Sequence, residues 1–196
     1  MYTEEYIRHY TENIQREGSV ELLEWLKTTD FFSAPASTHF HGDHEGGLCE
    51  HSLNVFRHLV RLCSTYKAVL GIESWKEKRE SIAICALLHD LCKVGCYSVE
   101  MRNKKNEAGA WVQVPFYAFN EQLPMGGHGY KSAFLIGDYM KLADEERVAI
   151  ATHMGAYDRA PGDYSLSSAF ERFPLAFLLH TADCAAAYFD EAKQEA

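Results

Sequence analysis

The stretch "ALLHDLCKVG", residues 86–95, ends the apolar run Ile82-Ala83-Ile84-Cys85-Ala86-Leu87-Leu88 in two adjacent titratable residues, His89 and Asp90, with Lys93 three positions further on. A run this apolar belongs in a core. An unpartnered carboxylate there is expensive unless a cation or a hydrogen-bond donor receives it. Upstream, Ser74-x-x-Glu77 has the spacing of a capping box. It predicts a helix running to about Leu91 that carries His89 and Asp90 near its C-terminal end, with Gly95 as its stop.

The segments around it read in the same helical period. Residues 3–16 and 19–28 form two short amphipathic patterns separated by Gly18, with Ser19 placed to cap the second. "SAPASTHFHGDHEGG" (33–47) is a loop. "LCEHSLNVFRHLVRLCSTY" (48–66) repeats apolar residues at core-helix spacing. "CYSVEM" (96–101) alternates, "AWVQVPFYAF" (110–119) is rich in β-formers, and the polar "RNKKNEAG" between them predicts a hairpin turn. Helices resume at 130–141 and 143–154. The last, 167–193, carries Pro174, which kinks or restarts it. The fold class expected is all-α, with one β-hairpin inserted at about 96–119.

The chain has 196 residues, enough for one domain, and is 47% hydrophobic, enough for a full core. Its net charge of −9 argues against holding duplex nucleic acid on a broad basic surface. The N-terminus lacks the apolar stretch of a signal peptide, and nothing in the chain is long enough to span a membrane, so a cytoplasmic protein is expected. Six cysteines, without paired zinc-finger spacing, read as buried thiols rather than as a metal site.

Several other polar residues interrupt apolar helical patterns. They are His51 in "LCEHSLNV", His128 in the glycine-rich "GGHGYKS", His153 in "AIATHMG" and Asp183 in "LLHTADCAAA". With His89 and Asp90 they make four imidazoles and two carboxylates on separate segments. Nitrogen and oxygen donors of this kind suit iron, manganese, zinc or magnesium, and one carboxylate can bridge two ions.

The ordered set H…HD…H…H…D, with Lys93 behind the dyad, resembles the HD-domain superfamily of metal-dependent phosphohydrolases, in particular small bacterial and phage members. The resemblance covers about residues 46–192, the core of a single domain 1–196 to which residues 1–32 add N-terminal helices. It implies an HD-type helical bundle and two divalent metal ions. His51, His89, Asp90 and Asp183 would hold one ion, and His128 and His153 the other, with Asp90 bridging. It implies hydrolysis of a phosphomonoester or phosphodiester, on a nucleotide or another small phosphorylated substrate, by a hydroxide that the binuclear centre activates. Asp90 and Lys93 are the catalytic candidates, and Lys93 and Lys131 the candidates for holding the phosphate. Two other readings share the ligand set: an HD-fold di-iron oxygenase, and a non-catalytic nucleotide-binding module.

The remaining histidines are set apart. His39, His41 and His44 are expected at the surface or pocket edge. His58, one heptad after His51 on the same helical face, is the nearest rival ligand. His180, three residues before Asp183, is a candidate to brace the ligands from outside.

Overall fold

A computed structural model describes residues 1–122, 126–158 and 165–192. Helices α1 (Tyr2–Asn13) and α2 (Ser19–Thr28) come first, then α3 (Gly47–Thr65), the short α4 (Lys67–Leu70) and α5 (Arg79–Leu88). A hairpin of β1 (Tyr97–Lys105) and β2 (Trp111–Phe119) follows. After it come α6 (His128–Gly137), α7 (Asp144–Thr152), α8 (Ser165–Arg172) and α9 (Pro174–Ala185). The described residues are thus helical with one two-stranded antiparallel sheet, as the sequence pattern predicts. None of their helices is long and apolar enough to cross a membrane.

The centre of the bundle is α5, whose residues Ile82–Leu88 are all buried, the behaviour expected of a helix that is apolar all round. Helix α3 packs on α5 and α9, α9 packs on α7, and α7 on α6. One contiguous apolar cluster runs through these helices, from Tyr6 on α1 to Ala186 beyond α9. The Tyr6 hydroxyl donates to the Leu87 carbonyl at 2.8 Å and ties α1 to the turn of α5 just before the dyad.

Three local expectations need adjustment. Ser19 lies inside the first turn of α2, and Gly18 is the cap residue, with φ of +86° and no side-chain cap. A Cβ at Gly18 would also stand 1.8 Å from the Tyr139 carbonyl oxygen, so both the backbone and the neighbour require glycine. The capping box at Ser74 and Glu77 forms, but it opens a 3-10 turn (Trp75–Lys78) ahead of α5. Helix α5 ends at Leu88 rather than near Leu91, and Leu91–Lys93 make a separate 3-10 turn. The first strand is longer than the sequence pattern indicates, because Lys104 and Lys105 stay in the ladder opposite Val112 and Trp111.

Pro174 restarts the last helix, sitting in the first turn of α9, where its missing N–H costs nothing. A π turn, Ala186–Asp190, then closes with the Glu191 N–H on the Ala186 carbonyl at 3.1 Å.

Candidate metal centre

Each candidate ligand stands at a position where a helix meets the middle of the bundle. His51 lies on the buried face of α3. His89 is the residue that ends α5, and Asp90 leads into the 3-10 turn. His128 opens α6, His153 ends α7, and Asp183 lies on α9. His51, His89 and His153 are fully buried, and Asp90 is 3% exposed.

The imidazoles are oriented from behind. His89 Nδ1 donates to the Ala86 carbonyl at 2.9 Å, and His153 Nδ1 to the Ile150 carbonyl at 2.8 Å, each bond closing on the last turn of its own helix. His51 Nδ1 donates to the Glu191 carboxylate, 3.0 and 3.1 Å from its two oxygens. With their Nδ1 protons committed, all three rings present Nε2 lone pairs to one space. Metal-bound imidazoles are held in this way.

The lone pairs converge on two carboxylates. His51 Nε2 is 3.1 Å from Asp183 Oδ1 and 3.6 Å from Asp90 Oδ2. His89 Nε2 is 3.4 Å from Asp90 Oδ2 and 3.2 Å from His51 Nε2. His153 Nε2 faces the other oxygen of Asp90, Oδ1, at 3.5 Å. Both of those atoms, His153 Nε2 and Asp90 Oδ1, are buried without a hydrogen-bond partner. Two imidazole nitrogens 3.2 Å apart with a carboxylate beside them are acceptors crowded together with no donor between. A buried arrangement of that kind is costly unless a cation sits among the lone pairs. The donor set therefore fits divalent metal ions.

Without metal, a proton takes the cation's place. Burial alone would lower the pKa of His51. The carboxylates of Glu191 and Asp183 outweigh it and raise the ring to about 10. Burial likewise pushes Asp90 up, but Lys93 and the His89 and His153 rings hold it well below the ordinary carboxylate range.

Asp90 is common to two ligand groups. One is His51, His89 and Asp90, and the other is Asp90, Cys92 and His128. His128 is half-buried, with its Nδ1 3.6 Å from Cys92 Sγ. Burial pushes the Cys92 thiol up to about 12, so it stays protonated and is a poor ligand at neutral pH.

Lys93 is buried, with Nζ 2.7 Å from Asp90 Oδ2 and 2.7 Å from the Ala36 carbonyl. Lys131 is also buried and turns to Glu121 instead of the centre. His58 turns away to Asp190, at 2.7 Å. His39 and His44 are exposed, whereas His41 is half-buried with its ring 5.0 Å from that of His51. The ring of His180 donates to the His153 carbonyl at 2.6 Å, bracing that histidine from outside. Tyr130 and Tyr157 are exposed, and Asp158 stands against Gly127.

Glu191 is the member that sequence reasoning misses. Its side chain is 4% exposed and is fixed by Asn54 Nδ2 at 3.0 Å, while Asn54 Oδ1 accepts from Arg57 at 2.7 Å. His51 and Asn54 are three residues apart on α3, the spacing that puts two side chains on one face and allows both to reach one carboxylate.

A 60-residue stretch, 31% of this chain, is 38% identical to the dihydroneopterin 2',3'-cyclic phosphate phosphodiesterase of Methanocaldococcus jannaschii, and it spans only 23% of that protein. No solved structure matches. The HD domain family matches residues 48–187, a stretch that holds all six convergent histidines and aspartates. The chain belongs to the HD-domain family.

Proposed function

We propose that this chain hydrolyses a phosphoester of a small phosphorylated molecule, a nucleotide or a short phosphodiester, on two divalent ions that share Asp90. Asp90 Oδ2, His51, His89 and Asp183 would hold one ion, and Asp90 Oδ1, His153 and His128 the other. The observation that carries this reading is the division of Asp90. Its two oxygens face different imidazoles, and one of them, with His153 Nε2 opposite, is buried and unpartnered.

Divalent ions held there supply Lewis-acid polarisation of the phosphoryl oxygens and lower the pKa of a water. The chain's own groups do the rest. Lys93 anchors Asp90 Oδ2 and keeps it ionised, so its role is to position that carboxylate. Asp183 is the more accessible of the two acids, with its side chain 15% exposed against 4% for Asp90. Burial would raise its pKa, but the His51, His89 and His153 rings hold it well below the usual range, so Asp183 is ionised at neutral pH, the form in which it would serve as a carboxylate ligand. Glu191 keeps the Nδ1 proton on His51. The phosphodiesterase name of the relative supports a phosphodiester. The half-exposed Phe119 ring, 6.0 Å from that of His128, supports a substrate with a flat organic part.

The test joins metal analysis to a phosphoester panel of mononucleotides, cyclic nucleotides and short oligonucleotides, with Mn²⁺ or Fe²⁺ supplied. Two ions per chain and hydrolysis that continues without O₂ are expected. One ion per chain would overturn the shared-Asp90 reading, and turnover only with O₂ would overturn hydrolysis. Asp90→Ala should lose metal and activity together. Hydrolysis at the parent rate in that variant would refute the mechanism.

A further inference from the structure

The β1–β2 hairpin leaves the helical bundle largely uncovered. Every residue from Val99 to Gln113 on the two strands is exposed, including Val99 at 66%, Met101 at 55% and Trp111 at 68%. A two-stranded ribbon with both faces in water is marginal by itself. Its two edges are not equivalent. At the ends of the ladder the Asn120 N–H donates to the Cys96 carbonyl and the Asn106 N–H to the Ala110 carbonyl. The register keeps partner numbers at a constant sum, so the hydrogen-bonded pairs fall on the even positions of β1. The odd positions, Tyr97, Val99, Met101, Asn103 and Lys105, therefore turn their N–H and C=O groups to the outer edge. On β2 the residue opposite Met101 is Pro115, which has no N–H and blunts that edge in its middle. The outer edge of β1 contains no proline.

We propose that β1 is an interface with a second copy of this chain, pairing antiparallel to itself about a two-fold axis at Met101. In that register Met101 faces Met101 of the other copy, Val99 faces Asn103, and Glu100 faces Arg102. All the outward N–H and C=O groups of the central residues find partners, and the two ion pairs fall at close, non-hydrogen-bonded positions, where opposite charges stabilise. The charges also select the register. An axis moved one residue to Glu100 sets glutamate on glutamate, one moved to Arg102 sets arginine on arginine, and one moved to Asn103 sets Arg102 on Lys104. A two-fold axis through an isologous edge is the simplest closed assembly, and the only sheet edges it leaves outside are those of β2, each blunted by Pro115.

The test is sedimentation velocity of the full chain over a concentration series reaching about 100 µM, a range that detects affinities of ordinary weak dimers. The wild type should shift to a dimer. Met101→Pro, which removes an outward N–H, should stay monomeric. Glu100→Arg alone and Arg102→Glu alone each place like charges opposite one another twice per dimer, so each should weaken association by about tenfold or more. The double variant E100R/R102E re-creates the pairing and should recover the dimer. Recovery by the double variant cannot come from misfolding, and that arm holds even if Met101→Pro disturbs the hairpin. A wild type that remains monomeric throughout the series would overturn the proposal. So would single charge reversals that dimerise as the wild type does, or a double variant no better than either single one.

Discussion

At the scale of single residues, the informative atom is the Nδ1 proton of His51. The carboxylate of Glu191 accepts it, and Asn54 in turn holds the carboxylate. An amide in place of Glu191 would keep the shape and lose the charge. The ring would then be a weaker base and less firmly held in its tautomer. Glu191→Gln is expected to cost about 10- to 100-fold in metal affinity, the usual cost of losing a partner behind a metal-binding histidine. A competition titration with a metal indicator measures it. Asp190→Asn, which touches only His58, should leave the affinity unchanged. Glu191 also marks where sequence reading stops. His51, His89, Asp90, His153 and Asp183 are visible in the sequence because each breaks an apolar helical pattern, and burial makes such breaks expensive. Glu191 sits in "YFDEAK", at the polar end of the helical pattern 167–193, where it interrupts no apolar run. Only the wider turn at Ala186–Asp190 brings it back over α3, and a π turn leaves no compositional trace.

At the scale of elements, two features decide how accurately the site is set. The first is the break after Leu88. Had α5 continued to Leu91, as the helical pattern indicates, Asp90 would point along the helix surface. Instead the chain enters a 3-10 turn, in which residues three apart eclipse one another, and Lys93 comes to lie over Asp90. The pattern of apolar residues located the dyad correctly but not this turn, because periodicity says which face is buried and little about where a helix stops. The second feature is the contact between α6 and α7. Gly129 follows His128, and a Cβ there would stand 2.1 Å from the Ile150 carbonyl oxygen. That carbonyl accepts the Nδ1 proton of His153. Gly129→Ala must therefore push apart the two helices that carry His128 and His153. The expected result is a loss of about 1–3 kcal/mol in stability from overpacking, measured by urea denaturation. The loss of metal should be larger than that stability loss explains. An unchanged metal stoichiometry with normal affinity would show that this contact does not set the ligand positions.

At the scale of the whole molecule, Arg16 joins parts of the chain that are far apart in sequence. It follows α1, and its guanidinium bonds Glu146 on α7 at 2.8 Å and Glu80 on α5 at 3.0 Å. Glu146 is fully buried and also accepts from the Ser81 hydroxyl and the Ala143 N–H. With Tyr6 and Tyr10 in the same apolar cluster as α5 and α9, this network ties the N-terminal helices to the helices that carry the site. Glu146 supplies the test. Burial would raise its carboxyl, but Arg16, Ser81 and the Ala143 N–H outweigh that and hold it below its ordinary value. A depressed folded pKa means that the carboxylate contributes stability in full above its unfolded value of about 4.3, and that the contribution disappears as pH falls through the folded value. Glu146→Gln leaves the guanidinium facing an amide and should cost about 3 kcal/mol at pH 7. The difference from the wild type should narrow as the pH drops below about 4, where the wild-type carboxyl itself takes up a proton. Denaturant melts at a series of pH values read both quantities. If the N-terminal helices belong to the same unit, the variant unfolds in a single transition at every pH, only earlier. A separate first transition confined to the variant would instead show that α1 and α2 detach while the metal-bearing helices remain folded.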